Sequence, residues 1–393
     1  MILMKKLRLI ILSYCLLSVF IACKEEPAAL DTTDMSEEDI YFSDYESSEY
    51  KWGYINKNGQ LAIECKYDNT RDFSEGLAGV NYKGRWGFIS TDGSKKIDFK
   101  YRSVFPFKEG IARVQNFDKL YGYIDQSGKE VIPPQFIEAY DLEDGLIKLK
   151  TNQGFNFIDI KGDTLLDQDI TRVNNFKDGY AIVKDFGKET LLDVNGKLLF
   201  DYKYDKVYTP QNNRIKVRLE KKYGYLSLKG NKLIPIEYDK LSAFQDGIAA
   251  AKKNEKWLLL SSTNQVLHNL DKDINNVISM NENRWMVSKG GKYAIMNNKA
   301  EYLTDFEYDA LNKFHESVAV YELNEAYGYL ALDGKKITGA NFPLCWDFVG
   351  DKARAIFDRG VGFLNKQGQP VIPAIFFEVR DFHDGLSRVQ VYR

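Results

Sequence analysis

Histidine, cysteine and proline are scarce in this chain of 393 residues, with three, four and nine copies respectively. His268, His315 and His383 stand far apart, and no zinc-protease motif, nucleophile elbow, phosphate loop or calcium loop occurs. That inventory speaks against an enzyme, so no catalytic residue, metal or cofactor is expected. An excess of one charge is missing too. The 54 basic and 56 acidic side chains leave a formal charge of −2, which gives nucleic acid no electrostatic footprint. Setting aside the basic residues Lys5, Lys6 and Arg8 near the N-terminus leaves the remainder near −5. No segment sustains a 3.6-residue apolar period. Apolar residues alternate or run in short clusters, so helices find no support and the chain reads as all-β.

The one long apolar run lies at the N-terminus, where Leu9 to Ala22 follow the basic start. It is short for a membrane span and has the layout of an export signal. Phe20-Ile21-Ala22-Cys23 resembles a bacterial lipoprotein box, which implies lipid on Cys23; a plain signal peptide cleaved near Ala22 is the alternative. Residues 23–50 are rich in Asp, Glu and Ser and read as a solvated tether. Lys24-Glu25-Glu26 resembles an acidic signal that directs some lipoproteins to the outer face of the outer membrane. The expected organisation is a leader at 1–22, a tether at 23–50 and a folded domain at 51–393. The expected location is the outer membrane, facing periplasm or surface, with membrane contact only through the lipid.

What dominates the rest is an aromatic anchor, usually followed by glycine, recurring every 34 to 36 residues. The anchors are Trp52, Trp86, Tyr121, Phe155, Tyr223, Trp257, Tyr293 and Tyr327, with Glu189 and Val361 in the two non-aromatic slots. Such a period means one supersecondary unit stacked on its copies. Each anchor opens a short apolar strand, and a glycine seven residues later closes a turn, as in Gly59, Gly93 and Gly128. Asn264 and Ala300 fill that slot twice. A left-handed conformation is expected there, with strain or a changed turn at Ala300. A second aromatic follows fifteen residues after the anchor (Tyr67, Tyr101, Tyr238). A third comes six later (Phe73, Phe107, Phe244), and then another glycine (Gly76, Gly110, Gly247) opens a third strand.

Trp86-Gly87-Phe88-Ile89, Val131-Ile132-Pro133, Tyr238-Asp239 and Phe107-Lys108-Glu109-Gly110-Ile111-Ala112 carry a resemblance to the WG-repeat family over residues 50 to 393. The resemblance implies a secreted or surface repeat protein that binds something, and no catalytic residues. The expected fold is therefore a tandem array of about ten three-stranded antiparallel units. Ten units are many for a propeller and three strands few for a blade, which favours an open, superhelical array. A closed ring is the alternative, in which strand 386 to 392 would pair beside Trp52 to Ile55.

Candidate sites are few. Asp68, Asp205, Asp239 and Asp309 follow the second aromatic, where turn capping is favoured over a cation ladder. His315 and His383 share a slot filled elsewhere by Ser74, Lys108 and Gln245, which reads as solvent-facing. The anchor tryptophans read as core, with glycines such as Gly87 admitting a second backbone. Cys65 and Cys345 read as buried thiols, since a disulfide would need the first and ninth units to meet. The seventh unit, Trp257 to Lys292, loses most marks of the repeat, and its off-phase Trp285 beside Arg284 is a candidate binding surface. Glu189 is another, because a glutamate implies partial exposure of its anchor slot. The expected function is non-catalytic binding or scaffolding toward a protein or peptide, by a monomer. The alternative is a glycan or peptidoglycan module using exposed aromatics.

Overall fold

In a computed structural model, residues 50–392 are described; the leader, Cys23 and the tether through residue 49 lie outside the described residues. The described residues form strands and turns without a helix. They make ten separate antiparallel sheets, which nowhere merge into one barrel.

The second sheet shows how the unit is built. Arg85–Ser90 carries Trp86 and pairs on one side with Leu77–Tyr82 and on the other with Lys95–Tyr101. Trp86 stands directly opposite Tyr101, so anchor and second aromatic form a cross-strand pair. The same pairing joins Trp52 to Tyr67, Tyr121 to Phe136 and Tyr223 to Tyr238. A fourth strand, Asn69–Thr70, completes the sheet at its other edge by pairing with Leu77–Tyr82. It is two residues long, and such strands begin several of the other sheets. This short edge strand adds to the three expected of each unit; two residues carry no readable period.

The turn-slot glycine adopts the expected left-handed backbone. The turn slot has φ of +79° at Gly59, +82° at Gly93 and +86° at Gly128, and Asn264 and Ala300 reach +66° and +62°. The second glycine closes a two-residue hairpin: Ser74 and Leu77 exchange backbone hydrogen bonds around Glu75 and Gly76, both with positive φ. Two consecutive left-handed residues make the tight hairpin turn that suits strand twist.

Ten apolar clusters join each sheet to the next. One holds Tyr54, Ile63, Phe73, Val80 and Ile89 between the first and second sheets, and another holds Val318, Tyr329, Phe348 and Leu364 between the ninth and tenth. A further cluster joins the tenth sheet to the first through Phe363, Ile372, Ile55 and Val389. The series therefore returns to its start.

The closure is made by the last strand. Leu386–Tyr392 lies between Glu378–His383 and Tyr50–Asn56, so the first sheet contains both ends of the folded chain. Trp52 faces Gln390 and Ile55 faces Ser387 in continuous register. The tandem all-β array is as expected, and of the two shapes open to it the paired ends give the second, a closed, propeller-like ring. An open array would leave two flat strand edges unpaired. Pairing them also buries Val389 and Ile55 almost completely.

Candidate functional site

The anchor tryptophans are structural. Trp52, Trp86 and Trp257 are 8, 6 and 3% exposed, so they form no row of open rings on which a sugar could stack. The glycine after the anchor is explained by close approach. A Cβ on Gly53 would lie 2.5 Å from the carbonyl oxygen of Ile63, and one on Gly87 2.6 Å from that of Ile97. At this point the pairing slips register and the neighbouring backbone presses in. Two residues after the anchor, Tyr54, Tyr123, Tyr225 and Tyr329 donate hydroxyl hydrogen bonds to the carbonyls of Arg71, Tyr140, Ser242 and Trp346, each in the following sheet.

The candidate binding residues have different fates. Trp285 is completely buried, and its indole N–H donates to Asn298 Oδ1 at 2.8 Å. It stands where other units carry Ala78, Ala112 or Ala249 and fills the junction of the seventh and eighth sheets. It therefore offers no face to a ligand, which corrects the expectation. Arg284 is partly buried and donates through Nε to the carbonyl of Leu332 at 2.8 Å, tying the eighth sheet to the ninth. Glu189 accepts the backbone N–H of Val207 at 2.8 Å, so a carboxylate cap replaces an aromatic contact at that anchor.

Asp205, Asp239 and Asp309 each cap a backbone, at the N–H of Glu220, Asn254 and Asn324. Each also pairs with a lysine of the anchor strand, Lys188, Lys222 or Lys292, which holds its carboxyl below the usual carboxylate range. Asp68 repeats the arrangement with Lys51 and the N–H of Lys83. The capping expectation stands. His315 and His383 are exposed and lie 3.6 and 3.9 Å from Asp347 and Asp72 of the next sheet. Cys65 and Cys345 are buried and form no disulfide.

Two recurring contacts between sheets escaped the sequence reading. In the first, the acid preceding the second glycine, or filling its equivalent place, reaches the backbone of the next sheet's hairpin turn. Glu75 accepts from Gly110 N at 2.9 Å, Asp144 from Gly179 N at 2.8 Å, and Glu316 from Asp351 N at 2.9 Å. Asp384 does the same for Gly76 N at 2.8 Å across the seam of the ring. In the second, a cation crosses to a carbonyl on the next sheet's first strand. Arg388 reaches Thr70 O at 2.7 Å, Arg71 reaches Val104 O at 3.0 Å and Arg113 reaches Ala139 O at 2.6 Å. Lys216 reaches Leu241 O and Arg354 reaches Val379 O at the same place in the repeat, at 3.3 and 3.2 Å. Asp72, Asp141 and Asp381 complete three of these bridges by pairing with Arg388, Arg113 and Arg354. The available signal was a basic residue at one fixed phase of an otherwise apolar strand, seen at Arg113, Lys148, Lys216, Arg354 and Arg388.

At three junctions where the bridging position is apolar, grooves open. Ala250 stands there at the junction of the seventh and eighth sheets, beside a groove of about 520 Å³ bordered by Leu241, Trp257 and Val277. Met286 stands there at the next junction and lines an adjoining groove of about 380 Å³ with Leu311 and Asp347. Ile182 holds the position in the fifth sheet and lines a third, shallower groove with Glu189 and Val207. The first two grooves adjoin, sharing Ile278, Ser279 and Lys313 at their borders. The divergent seventh unit thus contributes through Asn276, Ile278 and Ser279 rather than through Trp285.

No curated protein matches this sequence. Among solved structures, a eukaryotic initiation factor is 12% identical, with 88% of this chain and 98% of that one covered at a TM-score of 0.46. BamB from Moraxella catarrhalis is 11% identical, with 72% and 96% covered at a TM-score of 0.32. These scores carry no argument about function. The model of the WG containing repeat matches residues 52–86, 86–119, 121–154, 190–223, 223–257 and 362–392, over half of the chain. With the register of its anchors, turn glycines and paired strands, the chain belongs to the WG containing repeat family.

Proposed function

We propose that the protein is a non-catalytic binding or scaffold protein, held at the cell envelope by lipid on Cys23, and that it engages a protein or peptide partner. The observation that carries this reading is the pair of adjoining grooves bordered by the seventh, eighth and ninth sheets. They lie where Ala250 and Met286 stand at the bridging position, on a scaffold that cations cross-tie at five other junctions. Repeat folds present extended surfaces of this kind to partners. The buried anchor tryptophans favour a protein partner over a stacked glycan.

Two experiments test the reading. Affinity capture from an envelope fraction by the folded domain, beside a glycan array read by tryptophan fluorescence, distinguishes the partners. A discrete protein captured without glycan binding supports the proposal, and glycan binding alone overturns it. Metabolic labelling with a fatty acid tests the anchor: label lost in Cys23→Ser supports it, and an unlabelled wild-type chain contradicts it.

A further inference from the structure

We infer that the groove between the seventh and eighth sheets takes an extended acidic peptide segment, an inference that rests on the binding role proposed above. Three independent observations converge on it.

The first is the missing bridge. At five junctions a guanidinium or ammonium from one sheet occupies the space in front of the next sheet's first-strand carbonyl. Ala250 is too short to reach across and is packed in the junction core, and the edge strand Asn276–Ser279 lines a groove of about 520 Å³ beside it.

The second is backbone polarity. Asn276–Ser279 is the edge strand of its sheet, paired only with Arg284–Lys289. Met280 N bonds to Arg284 O at 2.9 Å. By the alternation of an antiparallel ladder, Val277 turns its N–H and C=O the other way, toward the groove. An edge so presented is a template for an added strand.

The third is charge. Lys240 and Lys313 border the groove, both exposed, and no Asp or Glu lines it. Neither lysine forms an ion pair among the described residues, unlike Lys188, Lys222 and Lys292 in the same molecule. The remaining border includes the amides Gln211, Gln245 and Asn276, with the exposed Ile278 and half-buried Phe244 supplying apolar surface. Alternate side chains of an added strand face opposite ways. A segment with carboxylates on one face and apolar residues on the other would meet the lysines and the floor together.

The test uses fluorescence anisotropy with three synthetic peptides of equal length and alternating pattern, in which the charged positions are glutamate, glutamine or lysine. Dextran sulfate serves as a competing polyanion. The glutamate peptide is expected to bind at least tenfold more tightly than the other two, and to weaken with salt. Ala250→Arg rebuilds a bridge that three other junctions already carry as arginine from this position, so it should block the groove and reduce binding at least tenfold while the domain stays folded. Lys240→Glu/Lys313→Glu changes only exposed positions and should move the preference to the lysine peptide; it decides the question should Ala250→Arg fail to fold. Preference for the glutamine or lysine peptide by the wild type overturns the inference. Unchanged binding in both variants, or displacement by dextran sulfate in equal measure from the wild type and the double variant, overturns it too. A natural partner captured equally by the wild type and Ala250→Arg would leave the binding role standing and remove this site from it.

Discussion

The bridge at Arg354 gives the sharpest energetic prediction. Its side chain is 9% exposed and donates to both carboxylate oxygens of Asp381, at 2.7 and 2.9 Å, and to Val379 O at 3.2 Å. Its guanidinium also lies 4.5 Å from the ring centre of Trp346. Removing one partner of a buried pair costs about 3–5 kcal/mol, because the other is left buried and uncompensated. Asp381 retains 25% side-chain exposure and can recover some water, which places Arg354→Ala at the lower end, about 3 kcal/mol. Arg388 makes the same bridge with 19% exposure, to an Asp72 that is 37% exposed. Arg388→Ala should therefore cost less, about 1–2 kcal/mol. Urea unfolding of both single variants, with Asp381→Ala and the double Arg354→Ala/Asp381→Ala, closes a cycle whose coupling should exceed about 1 kcal/mol. A loss under about 0.5 kcal/mol for Arg354→Ala, the range of ordinary surface substitutions, would refute the view that these cations tie the sheets together.

The two kinds of glycine should separate under substitution. Gly53→Ala meets backbone at 2.5 Å and should destabilise by about 1–3 kcal/mol, whereas Gly76→Asn, with open space around it and φ of +79°, should be nearly neutral because Asn213 and Asn283 hold the equivalent place with positive φ; equal effects in urea unfolding would contradict the assignment. Burial pushes the Cys345 thiol up to about 12, so it should resist alkylation at neutral pH until the domain unfolds, and rapid native labelling by iodoacetamide would contradict its placement. Lysine hydrogen bonds hold the carboxyls of Asp205, Asp239 and Asp309 low. Their stabilisation is therefore full above the unfolded carboxylate pKa of about 4 and is lost as pH falls through the lower folded values. Asp239→Asn should reduce stability at neutral pH and flatten the acid limb of the stability curve between about pH 5 and about 2; a steeper acid limb would reverse the assignment.

Much of the unit was legible because its constraints are local. A left-handed turn admits glycine and asparagine readily, so Gly59 and Asn264 announced their backbone. An anchor facing an aromatic across two strands leaves a fixed fifteen-residue separation, as Trp52 and Tyr67 show. What was hidden depends on contacts between units. The strand Asn69–Thr70 is too short to show alternation. The roles of Glu75 and Arg113 appear only when the next sheet is in place, because their partners are backbone groups whose chemistry no side chain advertises. Trp285 misled for a related reason. Its polar neighbours in sequence face away in the strand, while the indole fills a junction built from two sheets. The groove was legible only as divergence, since an alanine at position 250 means nothing until Lys216 and Arg354 show what belongs there.

The last strand closes the ring against the first, and a cross-link between them reports that pairing. Lys51 and Val391 stand opposite one another in the paired terminal strands, within the separation a disulfide can bridge in an antiparallel pair. In Lys51→Cys/Val391→Cys, mild oxidation of the dilute protein should give a cross-linked monomer, identified by mass spectrometry of the joined peptides. Reduced monomer alone, or linkage only between separate molecules, would show that the two ends do not meet and would contradict the closed ring.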